Sequence, residues 1–296
     1  MVRRDWFWII LLGAIWGCSF IFNAVLIREI GPLWVTSFRV GIGALGCWFA
    51  MLILRKPVPR DPMLWFKLGA LGVLAYAIPF ALFPLAQANL ASGVAAIINA
   101  LTPIMTVIVS HFWIGGEKAS RVKSAGVVVG FVGAAILASP ALMDGGDSHL
   151  WAIGACLLAT LCYALSLNIT RSFKAVEPTA LAAIALTGAA IVSIPVAFFT
   201  EGAPVLQRPE TWAAAIAIGL VSTAFTFQIM YRILPRVGPT NFATTTFIAP
   251  ISAIILGVVV LKESVLPIQI LGMLVIFTGL LLIDGRISRL WQRVAA

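Results

Sequence analysis

Acidic residues are missing from the interior of every long apolar run of this chain; Glu117, Glu263 and Asp284 all fall at the edges of such runs. Without buried carboxylates there is no acid–base pair for an intramembrane enzyme to use. Cysteine is almost as scarce. Cys18, Cys47, Cys156 and Cys162 all lie within apolar runs and none is spaced with histidine as a metal ligand, so they read as packing residues, not a disulfide framework or metal site. No glycine-rich phosphate loop and no nucleophile elbow is present, and the expectation is no catalytic residue, no metal and no cofactor. Charge of either sign is thin: 10% of residues are charged against 61% hydrophobic, with mean hydropathy +1.05. That balance excludes a soluble globular protein.

What is there in abundance is length of apolar chain. A helix needs about 20 mostly apolar residues to cross the hydrocarbon core, and ten such stretches are predicted at 6–27, 33–54, 64–86, 92–113, 121–138, 149–170, 178–199, 211–233, 239–261 and 265–284. The longest connections, 55–62 and 139–148, are too short to be domains. The first stretch is long and has no small-residue cleavage site, so it reads as a spanning helix and not a signal peptide. With the amino terminus inside, one side collects Arg3, Arg4, Arg55, Lys56, Arg60, Lys67, Lys118, Arg121, Lys123, Arg171, Lys174, Arg232, Arg236, Arg286, Arg289 and Arg293. The other side holds Arg28, Arg208 and Lys262. The positive-inside rule then puts both termini in the cytoplasm. Formal charge of +9 is thus an orientation signal; its spread over short segments gives no track for nucleic acid.

The chain also repeats itself. Pro103 in ALTPIMTVIVS is echoed 147 positions later by Pro250 in FIAPISAIILG, and Gly126 and Gly133 are echoed by Gly272 and Gly279 at an offset of 146. Two copies, 1–143 and 144–296, each of five helices, must enter the membrane from opposite faces. The expected fold is therefore an all-α membrane protein of ten transmembrane helices in two inverted five-helix repeats, a construction that recurs in secondary transporters.

Trp16 to Phe20 (WGCSF), Arg39 in SFR, ALTP at Pro103 followed by GEK with Glu117, and IAP at Pro250 followed by LKE with Glu263 resemble the drug/metabolite transporter superfamily in its ten-helix EamA-type branch. The resemblance covers about 6 to 285. It implies a transporter in the cell inner membrane, most often an exporter of amino acids and other small metabolites, with nucleotide-sugar and triose-phosphate translocators as relatives. Small multidrug members rely on a glutamate in their first helix; this chain offers only Ser19 and Asn23 there, which argues against cationic-drug antiport by that mechanism.

Candidate site residues follow from polar groups inside the spans. Proline cannot donate to the carbonyl four residues earlier, so Pro103 frees that of Asn99 and Pro250 that of Thr246, and such groups need partners or a wet cavity. A midplane site between the fourth and ninth stretches is expected. Asn99 and Thr102 lie on a polar stripe of the fourth stretch with Thr106 and Ser110. The ninth answers with Asn241, Thr244, Thr245 and Thr246. Trp16, Ser19 and Asn23 share one face of the first stretch, and Tyr163, Ser166 and Thr170 repeat that spacing in the sixth. Tyr76, beside Pro79 and Pro84, and Thr223 and Thr226 extend the walls. Each of these residues either lines a pocket or hydrogen-bonds a neighbouring helix.

Arg39 is the one charge deep in a span, where insertion costs roughly 2.5–3.5 kcal/mol. It either anchors a substrate carboxylate or ties its helix to neighbours; the second copy has Ala185 at its place, and family members with diverse substrates carry this arginine, which favours the structural role. Glu117 and Glu263 read as helix-end contacts with Lys118 and Lys262. Glycines 126, 130, 133, 272 and 279 read as close-packing faces that pair the fifth and tenth stretches. The expected partners are a small-molecule substrate and the lipid bilayer, the expected state a monomer with a homodimer as the alternative. The reading is alternating-access export of neutral or zwitterionic metabolites, amino acids first. Nucleotide sugars or phosphorylated metabolites are the rival cargo, disfavoured because Arg39 is the only buried cation, and a lipid-handling or structural membrane protein is the rival of another class.

Overall fold

The computed structural model describes residues 3–143, 147–242 and 245–284, with no side-chain placement at 141–143, 147, 148, 231, 234, 235 and 238–241. Arg286, Arg289, Arg293, Thr244 and the expected repeat boundary at 143/144 lie outside or at the edge of the described residues, as does the side chain of Asn241. Ten apolar helices are present among those described: α1 (Arg3–Leu26), α2 (Pro32–Ile53), α3 (Pro62–Gln87), α4 (Ser92–Phe112), α5 (Arg121–Met143), α6 (Asp147–Thr170), α7 (Pro178–Glu201), α8 (209–242), α9 (Thr245–Leu261) and α10 (Pro267–Asp284). Nine are long enough to span a bilayer, and α9, with 17 residues, is slightly shorter.

Local chemistry sets most boundaries. α2, α3, α7, α8 and α10 all open on proline, whose fixed φ and missing amide suit the first helical turn. The stops repeat between copies: α2 and α7 are followed by left-handed residues Arg55 (φ 50°) and Gly202 (φ 75°), α4 and α9 by Gly115 (φ 72°) and Lys262 (φ 59°). Each pair stands 147 positions apart, and in each pair glycine serves one copy while a basic residue accepts the strained conformation in the other.

The interior of the bundle is made by α1–α4 and α6–α9. α2 packs on α7 and α8, α1 on α9, α3 on α7 and α6, and α4 on α6 and α9. α5 and α10 pair with each other at the periphery. Their backbones touch: a Cβ on Gly133 would sit 2.6 Å from Ile276 N, and one on Gly279 2.6 Å from Gly126 O. Gly130 takes part through its backbone, 2.7 Å from a Cβ on Gly279, while its own Cβ position faces Ile104 of α4.

Two departures from the sequence reading concern helix continuity. The predicted stretches leave a break between 233 and 239, where Pro235 and Pro239 stand, yet α8 continues to Phe242 and α9 runs from Thr245. Ile229, Ile233 and Val237, at four-residue spacing, pack on Ile9 and Leu12 of α1, and Arg236 pairs with Asp5 at 2.8 Å. This stripe holds the helix through its prolines, an instance of packing overriding propensity. Conversely α4 is interrupted at Ala100 and Leu101, between Ser92–Asn99 and Thr102–Phe112. Wider π-helical turns appear at Val73–Ala77 in α3 and Ala217–Phe225 in α8. They fall at equivalent places in the two copies, Tyr76 and Thr223 being 147 apart, and such turns recur at functional sites.

Candidate functional site

The end of the bundle where α1 begins is called the near end and the opposite one the far end. Between them, the π-turns of α3 and α8 bring Tyr76 and Thr223 towards the centre. Tyr76 lies against Phe80 (5.7 Å between ring centroids) and Phe227 (5.5 Å). Phe80 meets Tyr163 of α6 edge-on at 6.5 Å, and Tyr163 stacks on Phe83 at 6.2 Å, which meets Phe20 of α1 at 5.5 Å. A continuous aromatic wall thus runs from α8 through α3 and α6 to α1.

Arg39 enters this wall from α2. Its guanidinium lies 3.7 Å from the Phe80 ring centroid, and Nε donates to Thr223 Oγ1 at 3.3 Å. The Tyr163 phenol is close enough to interact with it electrostatically. No carboxylate pairs with it among the described residues. A cation on an aromatic face gains about 0.5–2 kcal/mol, and the Thr223 hydroxyl occupies one of its five donors, with no anionic partner among the described residues.

The other candidates divide. Trp16 Nε1 donates to Thr226 Oγ1 at 3.2 Å, which joins α1 to α8 one turn from Thr223. Ser19 and Asn23 are buried on the same face of α1. The remaining hydroxyls are largely turned back on the chain. Thr102 Oγ1 donates to the Asn99 carbonyl at 2.7 Å, the very group that Pro103 frees, so the expected wet gap at that kink is closed by its neighbour. Ser166 bonds the Tyr163 carbonyl and Thr245 that of Phe242, at 2.9 Å each. Pro84 likewise frees the Phe80 carbonyl, which Thr36 of α2 takes at 2.8 Å. Asn99 and Thr246 are half-buried. Trp16, Arg39, Tyr76, Tyr163, Thr223 and Thr226 are gathered at the aromatic wall; Asn99, Thr102, Thr245 and Thr246 are not part of it. The wall itself is built by α1, α2, α3, α6 and α8, while the candidates of α4 and α9 lie outside it.

Phe80, Phe83 and Phe227 are absent from the sequence reading. Phe80 and Phe227 stand 147 apart, so the echo that exposed the prolines also marks them. Their apolar character hid them, because an aromatic in a span reads as lipid-facing or core.

The far end is fastened by buried polar contacts between helices. Glu263 accepts from Ser92 N at 2.9 Å and Ser92 Oγ at 2.8 Å, and so caps α4 from the α9–α10 loop instead of pairing with Lys262. Gln87 bridges Asn23 and Ser92, and Glu201 accepts the amides of Leu33 and Trp34 at the start of α2. At the near end, Glu117 pairs with Lys123 while Lys118 donates to the His111 carbonyl, so the expected Glu117–Lys118 contact is absent. A cavity of about 440 Å³ opens there, lined by Leu54, Lys56, Glu177, Thr179, Gln228 and Arg232.

An all-helical bundle of two inverted copies around an aromatic and cationic centre fits a membrane transporter. Residues 5–139 and 150–284 each match the EamA-like transporter family, and the chain belongs to that family. It is similar over nearly its whole length to YoaV, an uncharacterized transporter of Bacillus subtilis (25% identity, 95% of this chain and 97% of that one), and to the protein PecM of Dickeya dadantii (23%, 91% and 89%). YedA, an uncharacterized inner membrane transporter of Escherichia coli, is 22% identical over 92% of this chain and 88% of its own. A solved crystal structure with 16% identity superposes with a TM-score of 0.69 over 96% of this chain and 98% of that one, a likeness of fold.

Proposed function

We propose that this protein exports small zwitterionic metabolites, amino acids first, across the inner membrane by alternating access, with the substrate carboxylate held by Arg39. The reading rests on one observation: a guanidinium seated on Phe80 beside Thr223 and Tyr163, with no carboxylate paired to it. A single such group suits a singly charged carboxylate, and Arg39 offers it a planar fork. A purely structural arginine would be expected to use its donors on freed carbonyls; the one freed beside it, that of Phe80, is taken by Thr36.

Orientation follows from the basic residues, which put both termini and the near end in the cytoplasm. The inner-membrane location is also that of YedA by name. The cavity by Gln228 and Arg232 then faces the cytoplasm, and the hydrogen bonds of the far end face the other side, which supports loading from the cytoplasm. Two copies divided near 143/144 would rock about the aromatic centre.

The test is counterflow of a labelled amino-acid panel in proteoliposomes. Saturable flux is expected for one or a few amino acids, and Arg39→Ala abolishes it while Arg39→Lys retains part. Background flux for every amino acid in vesicles holding folded protein, or undiminished flux in Arg39→Ala, overturns the reading.

A further inference from the structure

Two groups that can only accept, the Glu263 carboxylate and the Phe20 carbonyl, set the direction of one chain of hydrogen bonds. A carboxylate only accepts, so Ser92 Oγ gives its one proton to Glu263 Oε1 at 2.8 Å and offers lone pairs to Gln87 Nε2 at 3.2 Å. Gln87 Nε2 also donates to the Phe20 carbonyl at 2.8 Å. The Gln87 amide is therefore fixed, with Oε1 left to accept Asn23 Nδ2 at 2.9 Å. That fixes the Asn23 amide in turn and turns its Oδ1 off the end of the chain, where it has no partner. Asn23 is 2% exposed. One turn earlier on the same helix face Ser19, 4% exposed, has a hydroxyl that also lacks a partner.

Two bare oxygens one turn apart in a dry interior are costly to leave empty. They share their face of α1 with Trp16 and Phe20, which join the central wall through Thr226 and Phe83. We propose that Ser19 Oγ and Asn23 Oδ1 form a subsite for the primary ammonium of the substrate, the pole opposite to Arg39, with Gln87, held by the Phe20 carbonyl and Ser92, as the positioning residue that keeps Asn23 presenting an acceptor. An ammonium has three donors and no acceptor; the two oxygens meet two of them and the neighbouring aromatic faces take the charge. The oxygens are neutral, so an empty subsite holds no uncompensated charge to block the return of the unloaded carrier. Two oxygens are too few for a hard metal ion, which takes six or more, and no cluster of three metal-ligating side chains occurs among the described residues.

This inference rests on the amino-acid reading for its occupant, and its test separates the two. Thermal unfolding of the purified full-length protein is followed with amines (methylamine, butylamine, phenethylamine), with 3-phenylpropionate and with sodium. At least one amine stabilises the protein saturably. Ser19→Ala raises the half-effect concentration at least about tenfold without altering the response to 3-phenylpropionate, and Ser19→Thr retains the amine response. Gln87→Ala, which removes the acceptor that holds Asn23 Nδ2 and lets the Asn23 amide turn, weakens the amine response alone. Arg39→Ala does the converse and removes only the response to the carboxylate. No response to any amine, an equal amine response in Ser19→Ala, or a saturable sodium response lost in Ser19→Ala overturns the subsite. Loss of the carboxylate response in the unaltered protein overturns the reading of Arg39 and leaves the subsite standing.

Discussion

The two ends of this bundle are built from inverted copies of the same segments, yet they are fastened in different ways. At the far end Glu263 reaches an amide and a hydroxyl of α4, Glu201 two amides of α2, and Glu29 the amides of Gln207 and Arg208. At the near end Glu117, the counterpart of Glu263 at an offset of 146, pairs with Lys123 on its own segment. Thr170, the counterpart of Asn23, bonds the Ser166 carbonyl one turn back. The pairs that do cross the near end, Asp5–Arg236 and Lys56–Glu177, join partly exposed side chains and are worth about 0–1 kcal/mol each. Carboxylates on fixed backbone amides hold more firmly. The duplication kept the acid and lost its partners: 147 positions after Gln87 and Ser92 stand Leu234 and Pro239, one without a polar side chain and the other without an amide. A repeat supplies two equivalent ends, and divergence of a few polar residues decides which of them is cross-linked by buried and half-buried hydrogen bonds.

The comparison breaks first where both ends depend on one contact. Gly279→Leu thrusts a side chain into Gly126 O and Gly130 N, so at least about 1–3 kcal/mol should be lost from the α5–α10 pairing. Melting temperature and monodisperse yield should both fall, with neither end opened selectively. Glu263→Ala should act on the far end alone: it strands the buried Ser92 amide at about 1–3 kcal/mol, and labelling of an Ala86→Cys probe by an impermeant maleimide should rise at least about fivefold. Unchanged labelling would show that the polar chain does not close that end. Glu117→Ala, by contrast, removes an exposed pair worth less than about 1 kcal/mol and should leave labelling at Ala86→Cys as it was; an effect equal to that of Glu263→Ala would restore the symmetry denied above.

The smallest effect is one of pH. The Thr211 hydroxyl first, and then the amides of Gln207 and Arg208 with the Arg208 charge, hold the Glu29 carboxyl below its ordinary value. Its folded pKa is depressed, so its contribution is complete above the unfolded value of about 4.3 and is lost as pH falls through the lowered folded value. Melting curves below pH 5 should therefore show a loss in the native protein that is reduced in Glu29→Gln.

Fold was more legible than site, for a physical reason. Ten spans and two copies are written in local composition and in a repeated proline, which any reading of the chain recovers. The break after residue 233 was misread because Pro235 and Pro239 are local signals, whereas Ile229, Ile233 and Val237 find Ile9 and Leu12 more than 200 positions away. Hydroxyl partners are equally invisible in sequence. Thr102 and Ser166 look like pocket residues in sequence, and only coordinates reveal that each is bonded to a carbonyl of its own helix.

Sequence by itself determined that this chain crosses the membrane, how many times, in which repeated pattern and with which charge bias, because burial of apolar length and the positive-inside bias act on each segment separately. Tertiary structure decided which polar groups are consumed and which remain available. Arg39 meets Phe80 and Thr223, and Asn23 meets Gln87, only when separate helices converge. The direction of each hydrogen bond along Ser92, Gln87 and Asn23 is a property of the assembled contacts, since an amide acquires a fixed sense only from partners that can do nothing but accept, here the Phe20 carbonyl directly and Glu263 through Ser92.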